Sequence, residues 1–178
     1  RQLDDKFMSS LFANDDNKTR LDALLEWVRR GGKLVISAGR NANLALGYPK
    51  LLDLLPMSIK ADDPTAQLPK LSLSWGLARL NTAPVTLAGK NSAPYAVANL
   101  VPKKDRRFRS LVPPENRRQE SDRVVVAQST FGMGRITVVA FDLDASPFAD
   151  ASFRGEFWNE LIKEAGAARA STGSAMKS

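Results

Sequence analysis

Between residues 14 and 32 the apolar positions Leu21, Leu24, Leu25 and Val28 recur at the spacing of one helix face. Asp and Asn precede them as capping candidates and Arg29, Arg30 and Gly31 follow, a pattern that predicts a helix ending at the glycines. After Gly31-Gly32 the run Leu34-Val35-Ile36 is continuous rather than alternating, which suits a strand buried in a parallel sheet. Residues 43–55 carry a weaker helical pattern that stops at Pro56, and 57–82, interrupted by Pro64 and Pro69, reads as irregular. APVTL (83–87) and YAVANLV (95–101) read as strands, and Pro113-Pro114 forbids a continuous helix in the charged stretch that follows. RVVVAQ (123–128) and RITVVAF (135–141) flank STFGMG, in which Gly132 and Gly134 are expected to supply the turn of a β-hairpin. Residues 151–165 place Phe157, Trp158, Leu161, Ile162 and Ala165 on one helix face, and the small polar tail from 167 to 178 reads as a linker. Trp27 and Trp158 are expected to pack on the sheet; Trp75, in the irregular region, is the aromatic to test for partner binding.

Composition narrows this picture. At 178 residues the chain suits one well-packed domain, and no apolar run approaches the roughly 20 residues of a membrane span. The chain opens on Arg1 without a basic and then apolar leader pattern, so an excised or processed part of a larger protein is expected. With no Cys and no His there is no thiolate nucleophile, no disulfide, no Cys/His zinc site and no imidazole base, leaving carboxylate, Lys, Ser/Thr or Tyr chemistry. A cysteine-free chain suits the cytosol and an oxidising envelope equally.

The net charge of +7 raises a polyanion-binding reading. Its densest source is 103–123, where Lys103, Lys104, Arg106, Arg107 and Arg109 lead a run of eight Lys/Arg interrupted by Asp105, Glu115, Glu120 and Asp122. Only Phe108 offers a stacking ring there, so a solvated connector is favoured over a nucleic-acid groove, and no specific nucleic acid is expected.

The apolar run before Asp142-Leu143-Asp144 poses the sharpest chemical question. A hydrophobic strand ending in Asp-x-Asp resembles the first motif of the haloacid-dehalogenase phosphatases, and an Asp-based, metal-dependent hydrolase built on Asp142 and Asp144 is one alternative. Only 34 residues follow Asp144, however, and Ala145-Ser146 stands where that family has Gly-Thr. Capping and turn formation at the end of a strand is the plainer role of the two carboxylates.

A second resemblance covers residues 15–163. The order LDALLEWVRRGGKLVISAG, LLDLLPMSI, a basic strand-rich middle, then VVVAQSTFGMGRITVVAFDLDASPFADASFRGEFWNELI is similar to the glutamine-amidotransferase-like domains, in particular the non-catalytic branch of large bacterial envelope proteins. The resemblance implies an α/β fold, a flavodoxin-like three-layer sandwich whose sheet is mostly parallel with an antiparallel hairpin at 123–141, spanning 1–166. It also implies a buried strand ahead of this chain, beside Lys33–Ser37. Active members carry a Cys on a tight turn after a central strand and a His-x-Glu after a late strand. Ala38 or Gly39 falls near the first place, and Asp142 and Asp144 near the second, so the resemblance implies a domain without amidotransferase activity. A ligand crevice is then expected from Ser37, Gly39, Arg40 and Asn41 together with Asp142 and Asp144, at the carboxyl ends of the strands. No cofactor is implied; the expected partners are other protein domains or chains, in the periplasm or elsewhere outside the bacterial cytoplasm.

Overall fold

The computed structural model describes residues 5–10, 18–68, 70–73, 85–88, 95–112, 124–152 and 154–166. After a short helix, α1 (Asp5–Met8), comes α2 (Lys18–Arg29), which buries Leu21 and Val28 and packs Leu25 on the core. Gly31, at φ 111°, ends α2: its N–H donates to Val28 O while Gly32 N–H donates to Trp27 O, the paired closure that satisfies the last helical carbonyls. The chain then enters β1 (Lys33–Ser37) directly.

A one-turn 3-10 helix (Gly39–Asn41) leads into α3 (Ala42–Leu46) and α4 (Pro49–Leu54), so the single weak helix expected over 43–55 is two short ones, divided at Gly47-Tyr48 with Pro49 opening the second. The stretch read as irregular contains β2 (Met57–Ile59), β3 (Thr65–Leu68) and β4 (Lys70–Leu73). β5 is Val85–Ala88. YAVANLV is two strands, β6 (Tyr95–Ala98) and β7 (Leu100–Pro102), because Asn99 leaves the ladder. Its side-chain amide donates to the backbone and carboxylate oxygens of Asp63 at 2.7 and 2.9 Å, its own N–H donates to Pro64 O, and its carbonyl accepts from Lys60 N–H. The charged connector holds β8 (Arg109–Val112). β9 (Val126–Phe131) and β10 (Gly134–Val139) form the expected hairpin, with Phe131 opposite Gly134 across a two-residue loop. α5 (Arg154–Gly166) ends the described chain.

The main sheet has the order β1-β10-β9-β8, with β1 parallel to β10 and the other two pairs antiparallel. Three further antiparallel pairs, β2-β7, β3-β6 and β4-β5, form separate two-stranded sheets, and helices flank the main sheet. This corrects the expectation of a mostly parallel sheet. The strands β8, β9 and β10 follow one another along the chain and pair with their successors, whereas a parallel pair needs a long crossover, which among the described strands of this sheet lies between β1 and β10. Among the described residues β1 pairs with a strand on one side only. Trp75 and the tail from 167 to 178 lie outside the described residues.

Two expectations about helix faces are also corrected. Trp27 is 51% exposed, its ring lying over Gly32 at the end of α2, and Ile162 is 60% exposed although Phe157 and Leu161 beside it are buried. Gly134 serves close packing rather than the turn: a Cβ there would collide with Val28 O and Gly32 O, so the hairpin lies directly on the α2 terminus. The turn itself uses Gly132, at φ 63°.

Candidate functional site

β1 and β10 run parallel and end side by side, Ser37 opposite Val139, so the segments leaving them emerge together. Ala38 N–H donates to Val139 O, which continues the pairing into the first turn. Gly39 then adopts φ 36°, and a Cβ at this position would overlap the carboxylate of Asp142 and come within 2.8 Å of its backbone nitrogen. The glycine is thus required twice, for a left-handed backbone and for the close approach of Asp142.

Asp142 is the centre of the arrangement. Its side chain is 13% exposed; Oδ2 lies 3.4 Å from Nε of Arg40, whose backbone N–H also donates to the carboxylate. Oδ1 is buried and has no hydrogen-bond partner among the described residues. Burial raises the Asp142 pKa, Arg40 opposes the shift through its charge and its N–H, and the nearby charge of Asp144 adds a smaller upward push. A folded-state pKa above the unfolded one means that the native chain binds more protons in the window between the two, so stability should rise as the pH falls through that window. Relative to Asp142→Asn, the wild-type chain is therefore expected to gain stability as the pH is lowered from about 7 toward 4, read as the difference between urea midpoints. A difference that stays constant or changes in the opposite direction would mean that Arg40 outweighs burial.

A crevice of about 190 Å³ opens against this pair, lined by Arg40, Asp142, Phe141, Ala96, Phe148 and the Ser146-Pro147 turn. Phe141 and Phe148 form its apolar floor, tilted against each other with ring centres 5.3 Å apart and joined by Phe157 of α5 at 5.8 and 4.8 Å. The expected residues divide accordingly. Arg40 and Asp142 line the crevice, and Gly39 supports Asp142 from behind. Ser37 does not line it: it is buried, its hydroxyl donates to Phe141 O at 2.8 Å and accepts from Leu143 N–H at 3.3 Å, and so it ties β1 to the loop after β10. Asn41 closes the 3-10 turn with its N–H on Ala38 O, and Asp144 points to solvent. Among the described residues no group of three or more Asp/Glu side chains gathers to hold a metal. Sequence reasoning missed Ala96, Phe141, Ser146, Pro147 and Phe148. Phe148 had a signal in Ser-Pro-Phe, a turn returning an aromatic toward the strand end; Ala96 had none, since only long-range packing brings β6 beside the Gly39–Asn41 turn.

The described basic residues of the connector differ in their surroundings. Lys103 donates from Nζ to Leu52 O in the last turn of α4, and its pKa is lowered by burial and then by Arg106. Phe108 packs on the core, while Lys104, Arg107 and Arg109 are exposed, with Arg109 opposite Gln128 in the sheet. Among the described residues no helix is long and apolar enough to cross a membrane.

No protein-family model and no curated protein matches the chain. Solved structures do. A cytoplasmic protein of Salmonella typhimurium superposes with a TM-score of 0.61 at 11% identity, over 89% of this chain and 65% of that one. Another, from Salmonella typhimurium LT2, gives 0.59 at 15% identity, over 82% and 60%. The mmIFT52 N-terminal domain gives 0.56 at 12% identity, over 85% and 72%. The chain spans less than two thirds of the length of both Salmonella proteins, and at these identities the likeness is one of fold alone.

Proposed function

We propose that this chain is a non-enzymatic binding domain of amidotransferase-like ancestry, part of a larger bacterial envelope protein, that takes a small ligand or a partner side chain in the crevice beside Arg40 and Asp142. The observation that carries this reading is the geometry at the ends of β1 and β10. Where a hydrolase of that ancestry needs a nucleophile and a proton shuttle, this chain has a glycine with no room for a side chain, pressed against an aspartate that is itself paired with an arginine. The nearest hydroxyl on β1, that of Ser37, is committed to backbone groups on both sides. The Arg40–Asp142 pair is suited to orienting a polar ligand group, and the phenylalanine floor to burying an apolar one.

The reading has two tests. Incubation with glutamine should release no ammonia above a protein-free control, because no residue can form the thioester the reaction needs; reproducible turnover by clean protein would overturn it. A fragment screen followed by amide NMR shifts should give saturable changes at Arg40, Ala96 and Ser146 that disappear in the crevice-filling Ala96→Phe. A screen without such changes would remove the ligand-binding half of the proposal.

A further inference from the structure

The end of the molecule formed by the α2 terminus and the hairpin turn carries an unusual set of exposed side chains. Met133 stands in the two-residue turn with 78% of its surface in solvent, a projection rather than the wall of a groove. Its N–H donates to Arg29 O at 2.8 Å, which fixes the turn against the helix end. Trp27 is 51% exposed on the same helix end, and the Arg29 guanidinium lies 5.2 Å from the ring centre of Phe131 at the base of the turn. Arg29, Arg30 and Lys33 are all exposed around these apolar groups. The carboxylate of Glu26 pairs with both arginines, at 3.8 Å to Arg29 and 2.7 Å to Arg30, but these side chains are about half exposed or more, so an external anion can compete.

From this juxtaposition we propose that the Trp27–Met133 end is a peripheral docking surface for an anionic lipid bilayer. Met133 and the Trp27 ring enter the headgroup boundary, and Arg29, Arg30 and Lys33 meet lipid phosphates. An indole with one apolar and one polar edge favours that boundary, and cations beside it add attraction to anionic lipid. The projecting methionine favours lipid over a peptide, which would need a groove to receive it. The inference is independent of the crevice, which uses other residues.

The test is sedimentation of the protein with vesicles of phosphatidylcholine containing about one quarter phosphatidylglycerol, at about 0.1 M salt. The protein should partition onto these vesicles and not onto pure phosphatidylcholine. Arg30→Glu should lower the partition by about tenfold and Met133→Ser by about fivefold. Both positions are exposed, and circular dichroism will confirm that the variants fold. Brominated lipid should quench tryptophan emission in the wild-type chain, and less so in Trp27→Phe. Absence of binding to the anionic vesicles would overturn the proposal, as would binding that ignores Met133→Ser. Binding to a poly-glutamate peptide but not to vesicles would also overturn it and identify an acidic protein segment as the partner.

Discussion

Gly39→Ala is expected to destabilise the chain by about 2–4 kcal/mol, a large share of the stability of an ordinary domain. Two costs add. An alanine at φ 36° suffers the steric penalty of left-handed backbone, and its Cβ would occupy space now filled by the Asp142 carboxylate and crowd the Asp142 nitrogen. The first cost is local and the second is not, so a double-mutant cycle separates them. Asp142→Ala combined with Gly39→Ala should recover part of the loss, because the overlap with the carboxylate is relieved while the backbone contact and the φ penalty stay. Chemical denaturation of the four species measures this. If Gly39→Ala costs less than about 0.5 kcal/mol, the size of a bland surface change, the packed contact between the β1 turn and Asp142 does not exist. The crevice would then lose its support.

Phe148→Ala should cost about 3–5 kcal/mol. The ring is 1% exposed and contacts both Phe141, from the end of β10, and Phe157, from α5, so its removal opens a cavity where the loop, the sheet and the last helix meet. The same ring floors the crevice, so the variant should also lose whatever binds there. Phe148→Leu keeps most of the volume and should lose less. Met133→Ser, at the most exposed apolar position described, should leave the urea midpoint almost unchanged and serves as the control. A Phe148→Ala loss under about 1 kcal/mol would show that the aromatic trio is not the joint between α5 and the sheet.

How much of this was legible depended on the distance over which the signal acts. Helix α2, strand β1, the β9-β10 hairpin and helix α5 are written in nearby residues: Leu21, Leu25 and Val28 share a face, Leu34-Val35-Ile36 forms an uninterrupted run, and Gly132 sits where the turn needs positive φ. Strands β2, β3 and β4 are three or four residues each, too short for periodicity to register, and exist because partners elsewhere supply their hydrogen bonds. The break inside YAVANLV was illegible for the same reason, since Asn99 leaves the ladder to bind Asp63 and Pro64, which lie 36 residues or about as far away along the chain.

By itself the amino-acid order determined the chemistry available, with no thiol and no imidazole, and the local elements that could bury apolar faces. It also marked Arg40 and Asp142 as polar residues placed just after strands. Tertiary structure decided that these two residues meet, that Gly39 has no space for a side chain, and that Ser37 is consumed in holding two segments together. It likewise decided that Trp27 faces solvent, because α2 ends on Gly31 and lays that ring over Gly32 at the rim of the sheet. Helical and strand periods are set by neighbours a few residues apart, whereas burial, pairing and pKa are set by groups that chain closure brings together, and nothing local encodes them.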